Sequence, residues 1–281
     1  MGDKLALIGV GKMGRALLTR MLAANHQVKA YDIADEPMAT ARAMGAATAT
    51  CSAEAARDAA FVHVLVHDDQ EVLDATLGPG GVLEGAGAGA TVLLHSTILP
   101  ETTARVAEAA ELMGVDVADA PITSVPRRLE AGGGTFLVGG ADDIVAKIRP
   151  HLESVGKAVY HFGPLGSGNV AKIAKNLTNA VERVMFAEAV EIVQAAGLDA
   201  VQFLDMARDV TTGATIEHWD KVILVADGHA GPQRARGMFS KDIQHAARLA
   251  AEYGLEAPVT RGAAAAAAKW IKTWEKEAGQ R

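Results

Sequence analysis

The sequence predicts an α/β domain with a parallel sheet over residues 1–165, followed by an all-helical domain over residues 166–281. Three observations carry this. Short apolar runs alternate with helical patterns over the first half of the chain, as successive βαβ units require. A glycine-rich turn separates the first apolar run from the first helix. From Gly168 the apolar residues fall at spacings of three and four almost to the end, which is a helical period.

Residues 5–8 read as the first strand, 13–24 as an amphipathic helix and 28–31 as the second strand. Further strands are expected at 61–66, 91–94, 115–118, 135–138 and 158–161, with a helix at 142–155 between the last two. Val170, Ile173, Leu177, Val181, Val184, Met185, Val190 and Val193 then line one helix, roughly 40 Å long at about 1.5 Å per residue. Gly197 is placed to close it in a left-handed conformation, and Asp199 to cap the next helix. Ser240 is expected to cap a helix ending near Gly254. Pro258 opens a last one, whose alanine run at 263–268 is helix-favouring filler.

Composition narrows the function classes. A hydrophobic share of 49% in 281 residues supplies a sizeable core. The net charge of −7 speaks against a phosphate-backbone binder, so no nucleic acid partner is expected. Cys51, the one cysteine, excludes an internal disulfide. It reads as a small helix-start residue rather than a reactive thiol, having no basic neighbour. No run of 18 or more residues lacks charge or glycine, so no membrane span is expected. The start of the chain has no signal-like apolar region, and Ala6 stands where a myristoylation signal has Ser or Thr. A cytosolic location is expected.

The turn Gly9-Val10-Gly11-Lys12-Met13-Gly14 follows a strand and opens a helix. Gly9 suits the tight turn, Gly11 lets backbone approach a pyrophosphate, and Gly14 lets helix and strand pack. An anion then rests on free N–H groups at the helix start. Gly9, Gly11, Lys12 and Met13 are therefore taken as cofactor contacts. Asp32 ends the second strand about 20 residues on, where a carboxylate accepts from ribose hydroxyls. No Arg follows it closely, which favours NAD over NADP. His67, near the end of the 61–66 strand, is a further candidate cofactor contact. His63 and His67 are four apart but do not point together on a strand, so no metal site is expected. His218 and Trp219 are candidates for a pocket wall or subunit contact.

A second glycine-rich segment runs from Gly166-Ser167-Gly168 to Lys172 and Asn176. Lys172 and Asn176 are i and i+4, hence on one helix face. An ammonium there protonates a developing alkoxide, and an amide orients the substrate. A solvated lysine is the ordinary alternative. Lys175 points at another angle and reads as surface.

Taken together, these motifs resemble the β-hydroxyacid dehydrogenase family. The resemblance rests on Gly9–Gly14, Ser96-Thr97-Ile98-Leu99-Pro100, Asp119-Ala120-Pro121, Gly166 through Asn176, and Lys241-Asp242 preceded by Phe239, all in the family's order. It implies a Rossmann-like domain followed by a helical one, with the active site in the cleft between them. Lys172 would be the proton donor in reduction and the base in oxidation, with Asn176 orienting the substrate. Ser96 would lie beside nicotinamide ribose and substrate, and Lys241 would close over the cofactor. It further implies a small hydroxy acid or its semialdehyde as substrate, and a homodimer or homotetramer built on the helical domain. An imine reductase of the same architecture is one alternative, although such enzymes usually lack a lysine at the position of Lys172. A non-catalytic dinucleotide-binding protein is another.

Two departures from the family bear on substrate. Where the family has Ser-Gly-Gly to hold a carboxylate, this chain has Thr123-Ser124-Val125-Pro126-Arg127-Arg128. Arg127 and Arg128 offer charged forks suited to an anionic group, with Thr123 and Ser124 supplying hydroxyls. Alternatively both arginines face solvent or pair with Glu130. His95 also replaces a small or apolar residue before Ser96 and is expected to narrow the pocket from that side.

Overall fold

The computed structural model describes residues 2–213, 215, 217, 223–226, 229–232 and 241–278. His218, Trp219, Phe239 and Ser240 lie outside them. The chain divides into two compact units, Met1–Lys172 and Ile173–Arg281. The boundary expected from the residues alone, near Gly166, lies a little earlier. The first turn of the long helix counts with the first unit because its backbone is tied to Asp119 there.

In the first unit, strands β1 (Lys4–Ile8), β2 (Gln27–Tyr31), β3 (Ala47–Thr48), β4 (Phe61–Val64), β5 (Thr91–Leu94) and β6 (Asp116–Asp119) run parallel in the order β3-β2-β1-β4-β5-β6. That is the order of a doubly wound dinucleotide-binding sheet. The helices between them are α1 (Lys12–Ala23), α2 (Asp35–Ala43), α3 (Ser52–Ala56), α4 (Asp69–Leu77), α5 (Val82–Gly85) and α6 (Pro100–Glu111). Both faces of the central strands are covered, so they read as continuous apolar runs. Successive residues still sort by face. Leu5 and Leu7 pack in one core with Leu17 and Met21 of α1, while Ala6 and Ile8 pack in another with Val62, Val92 and Val106.

The sheet's far edge departs from the parallel expectation. The chain passes through β7 (Ile122–Thr123), the short helix α7 (Pro126–Glu130) and β8 (Thr135–Gly139). Strand β8 runs antiparallel to β6 and β7. One helical turn and Gly132, at φ +81°, are too short a link for a parallel crossover, so the chain doubles back. Helix α8 (Asp142–Val155) then leads to β9 (Ala158–Gly163), parallel to β8.

The second unit is helical, as expected, with one addition. Helix α9 (Ser167–Ala195) is followed by α10 (Ala200–Val210). Gly197 has φ +76° and Asp199 accepts from Val201 N–H and Gln202 N–H, so both end signals act as read. A two-stranded antiparallel hairpin, β10 (Ile223–Ala226) and β11 (His229–Pro232), was not foreseen. Helices α11 (Ile243–Glu252) and α12 (Pro258–Ala278) follow. Ala180 and Val184 of α9 pack with Ile243, Ala263, Ala264 and Ala267. Among the described residues no helix is long and apolar enough to cross a membrane.

Candidate cofactor and active site

A groove of about 720 Å³ opens along the carboxyl ends of β1, β2 and β4, lined by Gly9, Gly11, Lys12, Met13, Asp32, Val66 and His67 among others. The glycines divide the labour as the motif requires. Gly9 sits at φ +92°, and a Cβ there would strike the Leu65 carbonyl oxygen. A Cβ on Gly14 would strike the Gly9 carbonyl oxygen, so α1 could not approach the turn. Gly11 faces open space. Helix α1 carries no side-chain cap and no acidic residue in its first turn. Its free N–H groups at the mouth of the groove fit a pyrophosphate.

Asp32 is fastened from both sides. Its Oδ2 accepts from Val10 N–H at 2.7 Å and its Oδ1 from Ala34 N–H at 3.0 Å. Each oxygen keeps a further lone pair for a ribose hydroxyl. Glu71, Asp74, Cys51 and Ser52 complete one wall, none of which the sequence reading singled out as groove residues. Cys51 is the N-cap of α3, its sulfur accepting from Glu54 N–H. His67 lines the groove, and its backbone N–H donates to Glu71 Oε2 at 2.8 Å.

Ser96 is buried. Its hydroxyl donates to the Val66 carbonyl at 2.8 Å and accepts from Val66 N–H at 3.0 Å, locking the loop after β4 onto the end of β5. The neighbouring His95 does not narrow the pocket, contrary to the expectation. Alternation along the strand turns it into the core, where its Nδ1 meets the Ala120 carbonyl at 2.7 Å. Burial pushes the His95 pKa down to about 4, opposed by the bond to Ala120, so the ring is neutral.

The second glycine segment is built differently. Gly166 has φ +91°, and a Cβ on Gly168 would strike the Leu137 carbonyl oxygen. This close approach lets the Asp119 carboxylate accept from Gly166 N–H and Asn169 N–H, both at 2.7 Å. Burial pushes the Asp119 pKa up from its ordinary value, and the backbone N–H bonds pull against that. One turn on, Lys172 Nζ donates to the Ile122 carbonyl at 2.7 Å. Thr123 follows Ile122 directly, and its hydroxyl oxygen is buried with no hydrogen bond. Ser124 Oγ donates to the Val125 carbonyl. Arg127 and Arg128 are exposed on α7.

In the second unit, Asn176 Nδ2 donates to Asp242 Oδ2 at 2.7 Å, both residues being buried. Asp242 Oδ1 makes no hydrogen bond and lies 3.9 Å from Lys241 Nζ. Asp119 and Asp242 both stood in quoted motifs, but neither carboxylate was given a task. A charge at the end of an apolar strand was the available signal for Asp119. Lys175 is exposed, as expected. Its side chain reaches solvent, yet partial burial and then Arg183 pull its pKa down, while Asp242 pulls it up.

Comparison with known proteins agrees with this architecture. Residues 4–163 match the NAD binding domain of 6-phosphogluconate dehydrogenase, and residues 166–280 match the family described as NAD-binding of NADP-dependent 3-hydroxyisobutyrate dehydrogenase. The chain is 32% identical to an NAD-dependent L-serine dehydrogenase of Pseudomonas aeruginosa over 75% of its own length and 70% of that protein. It is 30% identical to a 3-hydroxyisobutyrate dehydrogenase of the same organism, over 85% and 82%. A solved structure of Mycobacterium tuberculosis 3-hydroxyisobutyrate dehydrogenase with L-serine superposes at a TM-score of 0.79, with 26% identity, covering 97% and 94% of the two chains. With a dinucleotide groove at its first glycine turn and the two domain families in sequence, the chain belongs to the β-hydroxyacid dehydrogenases, oxidoreductases that use a nicotinamide dinucleotide to act on CH–OH groups.

Proposed function

We propose that this protein interconverts a small β-hydroxy acid and its semialdehyde with NAD, using Lys172 for proton transfer. The observation that carries it is the placement of Lys172. Its ammonium is held at 2.7 Å from a backbone carbonyl on a helix whose start is pinned by Asp119, with Asn176 one turn further on the same face. Bound NAD supplies the hydride acceptor. In oxidation the Lys172 amine takes the hydroxyl proton as the carbinol hydride leaves. In reduction its ammonium returns a proton to the carbonyl oxygen. Asn176, held by Asp242, orients the substrate; Ser96 and Lys241 flank the cofactor. Lys172→Ala should lower kcat by roughly 10²–10⁴-fold, the usual worth of general acid–base catalysis, while fluorescence titration shows NAD binding little changed. Retention of most activity would remove this mechanism.

Asp32, Glu71 and Asp74 line the groove against Lys12. This acidic balance supports NAD over a cofactor bearing a 2′-phosphate. For the substrate, the unbonded Thr123 hydroxyl beside the Lys172 anchor supports a contact from that loop, with Ser124 and an arginine of α7 reading the acid group. The related proteins act on serine and 3-hydroxyisobutyrate, so both belong in the first panel. Arg127→Ala and Arg128→Ala, assayed on the best acid and on its amide, should show one variant with KM for the acid raised about 10–150-fold, the loss of a charge-assisted bond. If both variants keep the preference for the acid, the loop does not read it.

We also infer a homodimer or homotetramer formed through the helical unit. Met185, Ile192, Met206 and Val210 stand exposed on α9 and α10, an apolar surface of the kind that marks association. Light scattering should give a mass above that of one chain.

A further inference from the structure

The first unit holds a second polar cluster at the opposite end of its strands from the groove. Asp3 precedes β1, His26 precedes β2, and His151 lies in α8. One ligand atom of each lies within 4.8 Å of the others. The parallel strands begin here and end at the groove, so this cluster is remote from the cofactor.

The cluster is built rather than incidental. Asp3 is held by the Gln27 N–H bond to its carbonyl, at 3.0 Å, and by its own N–H bond to His26 Nδ1, at 3.1 Å. A Cβ on Gly2 would strike the Asn25 carbonyl oxygen, so the chain start lies close against this turn. His26 Nε2 lies 3.2 Å from Ser154 Oγ, whose hydroxyl is already donated to the His151 carbonyl. His151 is buried, stacked on Phe61 and edge-on to His26.

The decisive feature is a directional chain of imidazoles. The Ala120 carbonyl accepts only, so His95 Nδ1 donates to it at 2.7 Å. His95 Nε2 must then accept, at 2.8 Å, from His63 Nδ1–H. His63 Nε2 in turn accepts, at 2.9 Å, from His151 Nε2–H. Each neutral ring has one donor and one acceptor nitrogen, so the direction passes along the chain unchanged. It leaves His151 Nδ1 with a bare lone pair, and that atom is buried without a hydrogen bond.

We propose that Asp3, His26 and His151 bind a zinc-type divalent transition-metal ion, His151 through Nδ1. A metal-ligating histidine characteristically donates its other ring N–H to a polar acceptor, which fixes its tautomer. The bond from His151 to His63, backed by His95 and Ala120, provides this. Two imidazoles and a carboxylate form a three-ligand zinc set, and the exposed side of Asp3 leaves the fourth position to water. Zinc bonds of about 2.0–2.2 Å put tetrahedral donors roughly 3.3 Å apart, so the donors must close by an ångström or so, through rotation of the half-exposed Asp3 carboxylate and small shifts of the mostly buried His26 ring. His26 exchanges its bond from the Asp3 N–H for the metal. The ion would clip the start of the chain and of β2 to α8.

The test uses full-length protein without a histidine tag, stripped with chelator and titrated with zinc sulfate by calorimetry. One zinc per chain is expected, with a Kd below about 10 µM, and a higher thermal midpoint in zinc but not in magnesium. Asp3→Asn, at a half-exposed side chain, and His26→Gln, a change of similar size at a side chain only 8% exposed, should each weaken binding by about 10-fold or more, since each removes a direct ligand. Cobalt should give visible absorption bands that both variants lose. His151→Ala opens a core position and is a poor probe, so Asp3→Asn and His26→Gln carry the result, each with its thermal midpoint in the absence of zinc measured as the folding control. Absence of saturable zinc binding, or binding unchanged in both variants, overturns the proposal.

Discussion

Two helix starts in this protein carry a Gly-x-Gly signature and put it to opposite use. Helix α1 begins at Gly11 with no side-chain cap and opens on the groove. Helix α9 begins beside Gly166 and Gly168, and its first N–H groups are occupied by the Asp119 carboxylate. Every helix start offers unpaired N–H groups and the positive end of a dipole, so both attract an anion. At α1 the place is open to an anion from outside, the proposed pyrophosphate; at α9 the protein provides its own. The first arrangement makes a binding site, and the second makes a rigid support for Lys172 one turn later. A glycine motif therefore states that backbone approaches something closely, without saying what.

Alanine at the second glycine of each motif breaks the comparison most directly. Gly168→Ala should cost about 3 kcal/mol, at the upper end for overpacking, because its Cβ would strike a backbone carbonyl that cannot yield. Denaturant unfolding measures this. Gly11→Ala should leave stability nearly unchanged, since nothing lies within 4 Å of its Cβ. It should instead weaken NAD binding about 10–100-fold, or ~1.4–2.8 kcal/mol, read by fluorescence titration. If Gly11→Ala unfolds the protein while Gly168→Ala only weakens NAD binding, the two starts have been assigned the wrong way round.

The smaller effect sharpens the α1 side alone. Asp32 should hold the NAD preference in kcat/KM at 10-fold or more, about 1.4 kcal/mol. Asp32→Ala should narrow it in steady-state kinetics with both cofactors. Asp32 also accepts from Val10 N–H, so some loss with NAD itself is expected. Equal use of the two cofactors by the unaltered protein would remove Asp32 as the discriminating residue.

The groove and the Lys172 support differed in how far they could be read from residues alone. Gly9, Gly11, Lys12, Met13, Asp32 and His67 line the groove because a strand, turn and helix adjacent in sequence dictate that local geometry. The task of Asp119 was not readable, since its partners lie 47 and 50 residues away. Nor was the bond from Asn176 to Asp242, across 66 residues. His95 was misread because its neighbour in sequence, Ser96, drew it toward the pocket, while strand alternation sends it the other way.

The residues by themselves determined the features set by short-range physics. The alternation of strand and helix, the left-handed glycines, the Asp199 cap and the span of α9 each depend on neighbours within a few positions. Tertiary structure alone decided the reversal of β8 and the seam through His63, His95 and His151. Those three histidines are joined over separations of 32 and 88 residues. A buried polar group must find a partner wherever the fold brings one, because leaving it unpaired costs more than most single contacts return. Which partner arrives is a property of the packed sheet and helices, and no local pattern encodes it.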